Sequence, residues 1–395
     1  MTVFRALSAL AFLTACSGAA SVGTPDAGAQ LVTIGVKGTV SGGQQPVAGA
    51  KVQLYAANTL SGTASIALAS ATTTGTAGDF AFTGVSCPGN ALFYVLATGG
   101  IAAGATANPN LALMTTLGSC GIWNSNTPVV VNELTTVAAT SVLSHFMISP
   151  TGLSGDPASL SAAFDASQQL VIPGFGSSPG TGLPQGQSVP TSLINTLGNI
   201  VSACVASGGG SAGDVPQSAC GLLFSATTPD ATRLPSNPIV PNNTINALIN
   251  IANNPVLRVP TLFSLLPASG PFKPQLAAVP ASLQIQVSST NGLLISHGDL
   301  NFQQTAVGTT AGDIEQVSFT NGSAAAVTLN TVVLGGNQPE SFAVTNNTCT
   351  ATLAAGASCT VTLTFTPRAA GFSSAVLTAQ TSTGDLSVNL FGFGQ

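Results

Sequence analysis

Thr360-Val-Thr-Leu-Thr-Phe365 alternates hydroxyl-bearing and apolar side chains at every step. Successive side chains on a strand point to opposite faces, so Val361, Leu363 and Phe365 share one face and the threonines the other. Outward from this stretch, Ile314-Glu-Gln-Val-Ser-Phe319, Ala326 to Leu334 and Leu386-Ser-Val-Asn-Leu390 keep the same period. Roughly seven such strands across residues 281–395 predict a β-sandwich.

The other end of the chain reads alike. Val32-Thr-Ile-Gly-Val-Lys-Gly38-Thr-Val-Ser predicts a strand, Gly42-Gly-Gln-Gln-Pro46 a turn, and Val47-Ala-Gly-Ala-Lys-Val52-Gln-Leu54-Tyr55 a half-buried strand. Runs at Ser65 to Thr73, Asp79 to Thr83 and Ala91 to Ala97 extend this into a second sandwich over residues 31–120. Across 121–280 the period lengthens to that of a helix. Leu134, Val137, Ala138, Ser141 and Val142 form a stripe after Asn132, a capping residue; Leu160, Ala163, Phe164 and Ser167 form another after Asp156-Pro157. Leu193, Ile194, Leu197, Ile200, Val201 and Cys204 make the strongest stripe, and Ile245, Leu248, Ile249 and Ala252 a shorter one ending at Asn254-Pro255. Pro173 to Pro190 and Ser207 to Pro216 read as loose loops. The fold class is multidomain and mainly β: two Greek-key or immunoglobulin-like β-sandwiches flanking a small α-helical unit.

Three stretches resemble known families. Lys37-Gly38-Thr-Val, Pro46-Val-Ala-Gly49-Ala-Lys-Val52 and Gly78-Asp-Phe80-Ala-Phe82-Thr-Gly84 resemble the carboxypeptidase regulatory-like, or transthyretin-like, sandwich of bacterial surface proteins. Leu300-Asn-Phe302, Val307-Gly308, Phe319-Thr-Asn321, Cys349, Leu353-Ala-Ala-Gly356-Ala-Ser-Cys359, Thr364-Phe365-Thr-Pro367 and Gly371 resemble the choice-of-anchor D domain, a relative of the MSP/ASH immunoglobulin-like modules. Both resemblances imply spacing, binding or surface display rather than catalysis. Val131-Asn-Glu-Leu-Thr-Thr136-Val and Pro271-Phe-Lys-Pro274 resemble a helical segment of large exported bacterial proteins, where it precedes a repeat propeller; no propeller repeats follow here.

Met1-Thr-Val-Phe-Arg5 and the apolar run Ala6 to Ala15 have the make-up of a signal peptide, and the run is too short to span a bilayer. Leu13-Thr14-Ala15-Cys16 resembles the bacterial lipobox. This implies a signal peptide over residues 1–16, lipid on Cys16, a linker over 17–30 and the membrane as a partner; ordinary cleavage near Gly18-Ala19-Ala20 is the competing reading. Ser17 after the cysteine implies, by resemblance to lipoprotein sorting, the outer membrane. The other six of the seven cysteines fall into local couples, Cys87 with Cys120, Cys204 with Cys220, and Cys349 with Cys359. No C-x-x-C spacing occurs, so disulfides in an oxidising compartment are expected, although six cysteines allow many connectivities.

Only 5% of residues are charged, seven of them basic, and the net charge is -5. That leaves no electrostatic footprint for phosphate backbones, which excludes nucleic acid as a partner. The two histidines, His145 and His297, read as a helix-packing and a turn residue, and no G-x-S-x-G elbow accompanies them. Glu133, Glu315 and Glu340 are the only glutamates, too few with too few stacking aromatics to suggest a glycosidase. No cofactor or metal is expected. An enzyme would need a buried carboxylate or histidine of shifted pKa in a cleft, and none is expected. The sequence thus predicts a non-catalytic, surface-displayed lipoprotein for adhesion, extracellular contact or envelope assembly. The alternative is a small-ligand or polysaccharide-binding lipoprotein with a pocket near the helical region, for which Trp123 is the candidate contact.

Overall fold

The computed structural model describes residues 30–102, 106–183, 187–229, 240–285, 287–289, 293–295, 299–312, 314–323, 325–349, 352–381 and 385–395. The signal peptide, Cys16, the linker before residue 30 and His297 lie outside the described residues.

The N-terminal sandwich is built on the long strand Leu31–Gly42. It pairs antiparallel with Asp79–Pro88 and, through a tight hairpin, with Gln45–Ala48. The hairpin turns at Gly43 and Gln44, both at positive φ (58° and 64°), the two-residue geometry whose twist matches the flanking strands. The facing sheet runs Ile66–Ala67, Lys51–Ala56, Leu92–Thr98, Ala112–Ser119. Val36, Val40, Leu54, Phe93, Val95 and Leu113 fill the space between the sheets. Contrary to the boundary expected at residue 120, this sandwich takes a further strand, Pro128–Val131, which runs parallel to Lys37–Val40. Gly38 permits it: a Cβ there would lie 2.0 Å from the carbonyl oxygen of Val129.

Among the described residues six helices follow: α1 (Glu133–Leu143), α2 (Pro157–Leu170), α3 (Thr191–Val205), α4 (Ala219–Thr227), α5 (Thr244–Asn253) and α6 (Val259–Phe263). Asn132 caps α1, accepting from the Thr135 amide while Thr135 Oγ1 accepts from the Asn132 amide, and α5 ends at Asn254. The helices do not stand apart as a separate unit. Leu143, Phe164, Ile245 and Ile249 pack on Tyr94, Leu96 and Met114 from the outer face of the second sheet, giving three layers: sheet, sheet, helices. The physical reason is visible in Leu92-Phe-Tyr-Val-Leu-Ala97 and Leu111-Ala-Leu-Met114, where apolar residues run on without alternation, as strands buried on both faces require. A second helical core forms around Leu197, Ile200, Val201, Leu223, Phe224 and Leu248. Phe272 enters it, held by Asn199, whose Nδ2 donates to the Phe272 carbonyl (2.9 Å) and whose Oδ1 accepts from its amide (3.0 Å).

The C-terminal sandwich has one sheet ordered Leu293–Ile295, Glu315–Asn321, Ser358–Phe365, Phe342–Asn347, and a second ordered Asp299–Asn301, Leu386–Gly394, Gly371–Thr381, Val327–Gly335, Thr352–Leu353. Val361, Leu363 and Phe365 point inward and are fully buried, as their alternation predicts. Phe302, Phe342 and Phe365 meet with ring centroids 5.0 to 5.8 Å apart.

The three disulfides join neighbouring cysteines: Cys87–Cys120 within the first sandwich, Cys204–Cys220 between α3 and α4, and Cys349–Cys359 in the last. The Ser207 to Pro216 segment, expected to be loose, is held in place. Asp214 accepts from the Ser211 and Ser218 amides, and hydrogen bonding from Ser218, its hydroxyl first and then its amide, holds the Asp214 pKa below its ordinary value.

Candidate functional site

Strand Ala112–Ser119 is an edge of its sheet, and an edge presents unpaired backbone groups. Here helical threonines close it. The Ala112 amide donates to Thr244 Oγ1 (3.0 Å), which in turn donates to the Ala112 carbonyl; the Met114 amide donates to Thr136 Oγ1 (3.0 Å). This edge is therefore not open to an added strand.

Glu133 opens α1 and is fully buried. Its Oε1 accepts from the Gly43 amide at the hairpin turn (2.6 Å), while Oε2 has no hydrogen-bond partner. Burial raises its pKa to about 7, against the smaller opposing effect of its backbone hydrogen bonds. The sequence expectation concerned a carboxylate of shifted pKa in a cleft; Glu133 is buried and shifted but is not among the residues lining the cavity. The group ties the helix layer to the first sandwich and does not line a cleft.

Trp123 is half-buried. Its indole donates to the Gly35 carbonyl (2.9 Å), and its ring meets Phe93 edge-on with centroids 5.5 Å apart. Trp123 is not among the residues that line the cavity found in the structure. A cavity of about 490 Å³ lies between the helices and the C-terminal sandwich. Val137 of α1, Leu197 of α3 and Leu248 of α5 form one wall, with Leu300, Leu386 and Phe391 opposite. Phe146 bridges the two bodies edge-on to Phe391, centroids 5.2 Å apart.

His145 lines this cavity, which corrects its reading as a helix-packing residue: α1 ends at Leu143, and His145 is exposed on the short 3-10 turn that follows. Glu315 and Asp385 line the same cavity, whereas Glu340 sits exposed on a turn elsewhere. The signal that could have found the site is faint: these residues sit at element ends, where the apolar pattern stops. Tyr94, read as core, is core, with its hydroxyl 2.8 Å from Ser65 Oγ and its pKa raised by burial. Among the described residues no cluster of three or more His, Cys, Asp or Glu is placed to hold a metal, and no helix is long and apolar enough to cross a membrane.

No family model and no curated protein matches the chain. Solved structures do. The ASH / PapD-like domain of human CEP192 is 16% identical, covering 27% of this chain and 86% of that one at a TM-score of 0.20. WR4, a C. elegans MSP family member, is 8% identical, covering 27% and 99% at 0.19. The secreted serine protease VesC from Vibrio cholerae is 24% identical, covering 26% and 23% at 0.22, so the chain spans under a quarter of that protease. At these TM-scores the likenesses carry no argument about this chain. The protein is a multidomain, mainly β protein with two β-sandwiches and three disulfides, bonds that suit an oxidising, extracellular environment.

Proposed function

We propose that the protein is an exported, non-catalytic lipoprotein, anchored through Cys16 to the outer membrane or cell surface, whose sandwiches make contacts for adhesion or envelope assembly. One observation carries this reading. Both outer faces of the C-terminal sandwich bear cross-strand hydroxyl pairs instead of charges: Thr320 with Ser358 (2.8 Å) on one sheet, Thr328 with Thr352 (3.2 Å) and Thr378 with Ser387 (3.2 Å) on the other. Neutral hydroxyls cost far less to dehydrate than ions, so such faces can be covered by a partner without stranding a charge. Contact of this kind is short-ranged and little affected by salt. Acyl chains on Cys16 would supply the anchor, since more than one lipid chain is needed for stable attachment.

The test is the intact mass and location of the mature protein in wild type and Cys16→Ser. Acylated protein beginning at Cys16, lost from the membrane fraction and from the cell surface in the variant, supports the reading. A product cut beyond Cys16 and released in both strains overturns the anchor. Unchanged attachment of Cys16→Ser cells expressing equal amounts of protein overturns surface contact.

A further inference from the structure

We infer that the cavity between the helical layer and the C-terminal sandwich is a binding site for a small amphiphile with a cationic head. At about 490 Å³ it lies within the usual range of small-molecule pockets, and it sits where two bodies meet, a favoured place for them. Protein interiors leave few voids larger than a water molecule. Here residues that are otherwise core, among them Val137, Leu197, Leu248 and Leu386, turn atoms toward open space and forgo dispersion contacts that a guest would restore.

The charges in the lining decide the kind of guest. Glu315 and Asp385 both come from the sandwich side, and among the described residues no lysine or arginine lines the cavity. A carboxylate, sulfate or phosphate head would enter against two carboxylates. An ammonium or guanidinium head meets two acids of opposite sign. Gln169 and Ser387 add hydrogen-bonding groups, while the apolar walls take the body. Such a guest touches helices and sandwich together, so binding should also raise thermal stability. This site does not depend on the lipid anchor or on surface contact.

The test is isothermal titration calorimetry on the Cys16→Ser chain, which keeps lipid out of the titration. The probes are dodecyltrimethylammonium, dodecyl sulfate and dodecyl maltoside, each below its micelle-forming concentration. The expected result is saturable binding of one dodecyltrimethylammonium, about tenfold or more tighter than dodecyl sulfate. Ala166→Trp, on the α2 side of the cavity, should abolish it. The Glu315→Gln, Asp385→Asn pair should weaken the cationic probe about tenfold and leave the maltoside unchanged. Circular dichroism and Tm show whether Ala166→Trp folds; if it does not, Ala252→Phe, on α5, fills the same space. Absence of saturable binding, or binding unaffected by the folded filling variant, overturns the site. Dodecyl sulfate binding as tightly as the cation overturns the head-group assignment.

Discussion

Glu133→Gln isolates the one buried carboxylate that, among the described residues, is left half-satisfied. In the folded protein Oε1 accepts from the Gly43 amide while Oε2 is buried without a partner, so the neutral acid is favoured and the pKa rises from its ordinary 4.5 to about 7. A raised folded-state pKa means the native protein holds a proton that the unfolded chain releases at lower pH. The associated stability is complete below about pH 4.5 and is lost as pH rises through 7. The gap of roughly 2.5 units corresponds to about 3 kcal/mol at 1.36 kcal/mol per unit, an order-of-magnitude figure. Glutamine keeps the shape and the acceptor for Gly43 but cannot ionise. Its amide lacks an acceptor where Oε2 lies, which costs about 1 kcal/mol at every pH. Chemical denaturation is best followed by the fluorescence of Trp123, the only tryptophan, which packs on Phe93 in the same sandwich as the hairpin. The stability of Glu133→Gln minus that of wild type should rise by about 3 kcal/mol between pH 4.5 and pH 8. A difference that stays flat across that range would show that Glu133 is solvated and refute the reasoning.

Gly38→Ala should cost about 3 kcal/mol or more by Trp123-monitored denaturation, because its Cβ would sit 2.0 Å from the Val129 oxygen and must push a paired strand away; Gly43→Ala, with open space around it but a φ of 58°, should cost only about 1 kcal/mol. Thr244→Val leaves the Ala112 amide and carbonyl unpaired at a buried edge, so about 2 kcal/mol should be lost and hydrogen exchange at the Ala112 amide should accelerate; unchanged exchange would mean the edge is closed by something else. Replacing Cys349 and Cys359 together by alanine should lower the stability of the last sandwich by about 3 kcal/mol in calorimetry while the Trp123 transition stays where it was.

How much of this was legible in the sequence depends on how local the cause is. Val361, Leu363 and Phe365 are buried because of a period that six residues display by themselves. Asn132 caps α1 because the cap and its partner Thr135 stand three positions apart. The disulfides follow the sequence-local couples for a similar reason, since short separations within one module are what each fold brings together. Strand Pro128–Val131 has four residues and no pattern, and its partner lies some ninety positions earlier, where the informative residue is a glycine. Helix α4 escaped notice because Ala219-Cys-Gly-Leu-Leu-Phe224 is apolar on nearly every side and shows no stripe.

The candidate site is less legible still, and the reason is physical. A cavity is a place where core positions fail to meet, and Val137, Leu248 and Leu386 carry the same apolar signature whether they touch a neighbour or face a void. What distinguishes the site is the arrival of Glu315 and Asp385 from the sandwich opposite residues of α1, α2, α3 and α5, a juxtaposition made by tertiary packing alone. Glu133 follows the same logic in reverse. An acid in the first turn of a helix is ordinarily a solvated partner of the helix dipole. It becomes a buried, protonatable group here because the Gly43-Gln44 hairpin, ninety residues upstream, closes over the start of α1. In a chain with so few charges, each acid that folding moves out of water changes the chemistry of its surroundings more than it would on a charged surface.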